Sequence, residues 1–195
     1  MAVDNKKRDS CSVTMKERSV RTAYAAVAED RFGMCIAINI EGEHAMVKIA
    51  VDAMGGDNAP GEIVAGAVMA AQSREDIQIF LIGKEEVVSE ELKKHTYKKE
   101  QIEVVNATEV IETEEPPVNA IRTKKDSSIV IGMNMVRRGE ADAFCSAGSS
   151  GAILVGGQVI VGRIKGVERP PLAPLIPTEK GVSLLIDCGA NVDAR

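Results

Sequence analysis

From Met46 onward, short apolar runs alternate with segments of helical period, an arrangement that fits a parallel β-sheet covered by helices and few other folds. "VKIAVD" (47–52) reads as a buried strand and "AMGGDNAP" (53–60) as a Gly-rich turn. Asp57 or Asn58 is expected as the N-cap of the next helix, with Pro60 at its first helical position. Ile63, Val64, Ala67, Val68 and Ala71 then fall on one helical face. "IQIFLIG" (77–83) is the second strand, 84–94 a charged helix, and "IEVVNA" (102–107) the third strand. The prolines of "ETEEPP" (112–117) preclude a helix running through that acidic loop. A short basic turn and a helix capped near Asp126 and stopped at Gly139 should come next. "ADAFCSA" (141–147) is the fourth strand, "GVERPPLAPLIPTEKG" a Pro-rich connection without regular structure, and "VSLLIDCGANVD" a fifth strand.

Composition narrows the function classes. The chain of 195 residues is 45% hydrophobic with only 3% aromatics, and its 17 Gly suit helices packed closely on a parallel sheet. A formal charge of -5, with basic residues interspersed among acids, argues against nucleic-acid binding. Cys11, Cys35, Cys145 and Cys188 form no CxxC pair and have no His at ligand spacing, so no metal site is expected. No run reaches the length needed to span a bilayer, and no apolar segment comes after the N-terminal "MAVDNKKRDS", so neither secretion nor membrane insertion is expected. Residues 1–45 fit the strand and helix alternation poorly: "VRTAYAAVAEDRF" suggests a helix and "GMCIAINIE" a strand, with nothing tying either to the rest. They are expected to be a leader, with Met46 the native start, because "EGEHAM" can be encoded with a purine-rich ribosome-binding sequence just upstream of that Met.

The segment "FCSAGSSGAILVGG" (144–157) carries the most chemistry. Gly148 and Gly151 leave backbone N–H groups uncovered where a helix begins, and Ser146, Ser149 and Ser150 add hydroxyls, so a phosphate or oxyanion would fit. Small residues there also permit close packing of helix on sheet, and on spacing alone the two readings weigh equally. A serine nucleophile is disfavoured, since G-x-S-x-G would need Gly where Ala152 stands and both His44 and His95 precede the serines. "DAMGGD" is neither G-x-G-x-x-G nor a Walker A loop, which tells against a nicotinamide oxidoreductase; in the plain reading Asp57 caps the helix and Asp52 orders the loop. Arg122, Lys124 and Lys125 in "RTKK" are a solvated face, a phosphate contact or a contact for an acidic partner.

Together "KIAVDAMGGDNAPGEIVAGAV", "PVNAIRTKKDSSIVIGMNMV", "ADAFCSAGSSGAILVGG", "VGRIKGVERPPLAPLIPT" and "LLIDCGANVDA" resemble the bacterial PlsX family of phosphate acyltransferases, from Met46 to Ala194 and in family order. The resemblance implies a Rossmann-like α/β/α sandwich similar to isocitrate dehydrogenase and phosphotransacetylase. The activity it implies is transfer of a fatty acyl group from acyl carrier protein to inorganic phosphate for phospholipid synthesis. It further implies a cytoplasmic homodimer, peripheral at the membrane and without an organic cofactor. On that basis Asp57, Asn58 and Asn191 are catalytic candidates, Ser146, Gly148, Ser149, Ser150 and Gly151 the phosphate or oxyanion loop, and Arg122, Lys124 and Lys125 contacts for phosphate or the acidic carrier protein. Where the family reads S-A-G-N-T-G-A, Ser149 and Ser150 stand here for Asn and Thr. The family also continues for roughly as many residues again, so the chain is expected to be an incomplete enzyme, retaining at most phosphate or partner binding in the alternative reading. Its cut sheet is expected to leave an open edge and to aggregate or need a partner.

Overall fold

A computed structural model of the chain describes residues 46–168, 170–179 and 181–188, together with strands at 23–27 and 34–38. Four parallel strands form its centre: β3 (Val47–Asp52), β4 (Ile77–Gly83), β5 (Ile102–Asn106) and β6 (Ala143–Ser146), the third to sixth strands in chain order. The preceding strands β1 (Ala23–Val27) and β2 (Met34–Ile38) form an antiparallel hairpin that extends the sheet to the order β1-β2-β6-β3-β4-β5. β2 joins β6 antiparallel, with Ile36 opposite Phe144. The helix expected at "VRTAYAAVAEDRF" is therefore replaced at 23–27 by a strand, and the leader is tied to the parallel strands through β6. β2 supplies partners for the backbone groups of β6, and β1 becomes the edge of the sheet on that side.

The sheet is covered on both faces, which makes three layers. α1 (Gly61–Ser73) turns Val64, Ala67, Val68 and Ala71 inward, as the period requires, and with α2 (Glu85–Leu92) packs on Ile77, Ile79 and Leu81. The alternate residues Phe80 and Ile82 point to the opposite face, where they join Ala50 and Phe144 beneath α3 (Pro117–Thr123), α4 (Ser128–Arg138) and α5 (Ser150–Gly156). "IQIFLIG" is thus apolar almost without interruption because both of its faces are buried. Each fully buried side chain of this size contributes about 1.5–3 kcal/mol relative to exposure.

Several boundaries differ from the sequence reading for local reasons. Pro60 is itself the N-cap of α1 and no side chain caps that helix, so neither Asp57 nor Asn58 does so. α4 is capped by Ser127, whose Oγ accepts from the Val130 N–H at 3.4 Å, and it ends at Gly139 in the left-handed region (φ 74°). Asp126 instead accepts from the Thr108 N–H at 3.1 Å and from the Thr108 hydroxyl, tying the start of α4 to the end of β5. The expected basic turn is the helix α3, with Pro117 in its first turn, where a missing N–H costs nothing. A π-helical turn, Gly157–Val161, continues α5.

The expected fifth strand forms only in part, and outside the parallel sheet. β8 (Gly181–Leu184) pairs antiparallel with β7 (Leu175–Thr178) in a separate two-stranded ribbon, and β7 lies inside the region read as irregular. Pro177 fits because a two-stranded ribbon leaves half of each strand's N–H groups facing outward, where a missing donor is harmless. Ser127, fully buried, also donates to the Lys124 carbonyl at 2.8 Å. Ser127→Ala should cost about 1 kcal/mol in denaturant unfolding through loss of the cap; an unchanged midpoint would show that the cap contributes nothing.

Candidate active site

The strand order creates the site. From β3 the chain moves outward to β4 and β5 and then returns to place β6 on the other side of β3. The segments leaving the carboxyl ends of β3 and β6 diverge, α1 to one face of the sheet and α5 to the other. Open α/β sheets bind ligands in the crevice at such a switch point.

Asp52, the last residue of β3, joins the two segments. It is fully buried, accepts at Oδ2 from the Ser146 hydroxyl at 2.7 Å and at Oδ1 from the Met54 N–H at 3.1 Å. The Ser146 Oγ in turn accepts from the Gly148 N–H at 3.0 Å, so one carboxylate sets the turn after β3 and, through Ser146, the turn after β6. Burial pushes the Asp52 carboxyl above the usual carboxylate range, against hydrogen bonds from Ser128, Ser146 and the backbone at Met54 and Gly55 that pull it down. Ser128 opens α4, so a third element converges on the same carboxylate.

Glycine is required at 55 for space. A Cβ there would lie 2.3 Å from Asp52 Oδ2 and 2.9 Å from both the Gly148 nitrogen and Ser146 Oγ. Gly56 sits in the left-handed region (φ 99°) against Ala147. The two backbones thus touch at Gly55 and Gly148, and no side chain fits between them.

The phosphate-loop candidates divide by role. Ser146 and Ser149 are buried; Ser149 is the N-cap of α5, its Oγ accepting from the Ala152 N–H at 3.3 Å. Both hydroxyls therefore hold the backbone in shape. Ser150 is exposed at the first position of α5, and Gly151 comes next with Pro117 packed on it, where a Cβ would come within 2.7 Å of the proline ring. Helix geometry leaves the first N–H groups without carbonyl partners, and Ser149 satisfies only that of Ala152. Ser150 and Gly151 accordingly present backbone N–H groups and one exposed hydroxyl at the crevice, while the Gly148 N–H is held by Ser146.

The other candidates are placed less closely. Asp57 and Asn58 are exposed on the turn beyond Gly56, and Asn191 lies outside the described residues. Arg122 is exposed in the last turn of α3. Lys124 pairs with Glu115 and donates to the Val110 carbonyl at 2.6 Å, and Lys125 donates to the Ile121 carbonyl at 3.0 Å, so both brace the acidic loop and α3. Asp52 orders the loop after β3, as the sequence implies, but its second partner, Ser146, lies 94 positions away and carries no local signal. No cluster of three or more His, Cys, Asp or Glu able to hold a metal occurs among the described residues.

Comparison with known proteins meets this geometry. The profile of a family described as "Fatty acid synthesis protein" matches residues 47–195. The chain belongs to this family. Curated relatives are named "Phosphate acyltransferase": that of Clostridium beijerinckii is 52% identical over 149 residues, covering 76% of this chain and 45% of the relative. That of Alkaliphilus oremlandii is 51% identical over 149 residues (76% and 44%), and that of Syntrophomonas wolfei 53% over 150 residues (76% and 47%). The phosphate acyltransferase family is a family of enzymes, and the chain spans less than half the length of these members. The family match begins at β3, leaving the β1–β2 hairpin outside it. No helix among the described residues is long and apolar enough to cross a membrane.

Proposed function

We propose that the chain carries the phosphate- and acyl-positioning part of a phosphate acyltransferase that moves a fatty acyl group from acyl carrier protein to inorganic phosphate. The observation that carries this reading is the contact of two glycine turns across the switch point, fixed by Asp52 and Ser146. Phosphate oxygen attacks the thioester carbonyl; the acyl–sulfur bond breaks, an acyl–oxygen–phosphorus bond forms, and the carrier's thiol leaves with a proton. The protein's task is to hold the anion beside the thioester and to offer fixed donors to the developing oxyanion, by positioning and electrostatics. The N–H groups at the start of α5 and the Ser150 hydroxyl suit that task, with Asp57 and Asn58 on the facing turn. Arg122, exposed in the basic cluster, would meet phosphate or the acidic carrier protein.

Acyl phosphate formation from acyl-acyl carrier protein and phosphate by this chain tests the reading. Ser150→Ala should weaken phosphate binding about tenfold or more, the worth of a hydrogen bond to a charged group. An unchanged phosphate dependence would overturn the loop assignment. In a second reading the same crevice binds phosphate or a partner without turnover. Saturable phosphate binding with no acyl phosphate formed would select it. The proposed setting is the cytoplasm, with the whole family member a homodimer peripheral at the membrane and using no organic cofactor.

A further inference from the structure

The junction between the hairpin and the parallel sheet brings two cysteines into register: β2 runs antiparallel to β6 with Cys35 directly opposite Cys145. Residues so opposed share one face of a sheet, with Cα atoms roughly 4.5–5.5 Å apart. A disulfide spans Cα separations of roughly 4.4–6.8 Å, so the register alone sets the pair within bonding range. Phe144 is buried in the core beneath α4, and its neighbour Cys145 therefore turns to the α1 face. There Cys145 is half-buried and lines, with Ile63, the open groove between α1 and the sheet. We propose that Cys35 and Cys145 are a redox latch, an intrachain disulfide that forms under oxidation and fastens the β1–β2 hairpin to the parallel sheet.

The oxidant is a small-molecule disulfide, which reaches Cys145 through the groove. The Cys145 thiolate attacks one of its sulfurs, breaking the S–S bond and releasing one small thiol. The Cys35 thiolate then attacks the Cys145 sulfur of the mixed disulfide, which forms the intrachain bond and releases the second small thiol. Two electrons pass from the cysteine pair to the oxidant, and the two protons leave on the released thiols. The family match begins at residue 47, so the latch ties a segment outside it to a strand within it. Cys145 also directly precedes Ser146, the residue held by Asp52 at 2.7 Å, so the bond would form one residue from the candidate site. The other cysteines have no such placement: Cys188 is exposed past the β7–β8 ribbon, and Cys11 lies outside the described residues. In a reducing compartment a bond of this kind is transient, which suits a response to oxidation and not a permanent staple. The latch is independent of the acyl-transfer reading.

The full chain is incubated with oxidised glutathione, remaining thiols are blocked with N-ethylmaleimide, and the tryptic peptides are analysed by mass spectrometry without reduction. The linked pair Cys35–Cys145 should dominate and should disappear on treatment with dithiothreitol. In urea, where the register is lost, links should instead be distributed among the four cysteines. Closing a loop of roughly 100 residues should raise the Tm of the oxidised chain by about 5–15 °C over the reduced one. Hydrogen exchange across residues 34–38 should slow at least tenfold, because β2 can no longer separate from β6. Cys188→Ser should retain the link and both effects, whereas Cys35→Ser and Cys145→Ser should each abolish them. Thermal unfolding verifies that the variants fold, and Cys35→Ser alone suffices if Cys145→Ser does not. Links made mainly through Cys11 or Cys188, or between chains, overturn the proposal. So does an equal yield of Cys35–Cys145 in urea and in native buffer, or a linked chain whose Tm and hydrogen exchange match those of the reduced one.

Discussion

Asp52→Ala should be the most damaging single substitution in the site. It leaves the buried Ser146 hydroxyl without its acceptor, at about 1–3 kcal/mol, and removes the acceptor of the part-buried Met54 N–H as well. Against a typical domain stability of about 5–15 kcal/mol that is a large fraction, and the urea midpoint should fall accordingly. Asp52→Asn keeps the shape and should cost less, and it also isolates the titration of the carboxyl. Because burial raises the folded-state value, the native chain holds its proton where the unfolded chain has lost it. The contribution of Asp52 to stability is therefore complete at acid pH and is lost as pH rises above about 4, the unfolded carboxylate value, through the folded value. The difference in Tm between the parent and Asp52→Asn should be greatest in acid and shrink as pH rises. Carboxylates held low by exposed partners, such as Glu75 beside Lys98 and Glu140 beside Arg138, act in the opposite direction and cancel in that difference. A difference that stays constant or grows with pH would contradict the assignment.

Gly55→Ala should injure the same place by crowding. The added carbon would meet Asp52 Oδ2 at 2.3 Å and the Gly148 nitrogen at 2.9 Å, and the second of these is backbone that cannot rotate aside. Overpacking of this kind costs about 1–3 kcal/mol, and each kcal/mol lowers Tm by about 2–4 °C in a chain of this size. Phosphate affinity should fall at least tenfold, because the turn after β6 must shift to make room. Unaltered Tm and phosphate affinity would mean that the two turns do not touch in solution.

The elements that sequence made legible are those whose period is set by burial. "VKIAVD" and "IQIFLIG" match β3 and β4 residue for residue, because an apolar run closed by Gly or Asp has few alternatives. The helical face Val64, Ala67, Val68, Ala71 is legible for the same reason, while Ile63, read as part of it, instead lines the groove. Caps were harder to read. Asp126 has the right side chain at the right distance from α4, but Thr108 competes for it and Ser127 takes the position. The β7–β8 ribbon was hidden because Pro177 argues against a strand unless its neighbour on one side is known to be solvent. In the site, the loop 146–151 was legible as a cluster of small and hydroxyl residues, yet spacing could not divide those hydroxyls between structure and ligand. Ser146 and Ser149 turn inward to Asp52 and Ala152, and only the three-dimensional pairing of β3 with β6 brings Ser146 to Asp52.

The central claim is that the paired turns after β3 and β6 form one anion-binding crevice. Titrating inorganic phosphate into the ¹⁵N-labelled chain and monitoring its backbone amides tests that claim most directly. Saturable shifts of Gly55, Gly148, Ser150 and Gly151 with a common dissociation constant, abolished together in Gly55→Ala, are the predicted result. Absence of saturable shifts at those four amides, or shifts confined to Arg122, Lys124 and Lys125, would contradict it.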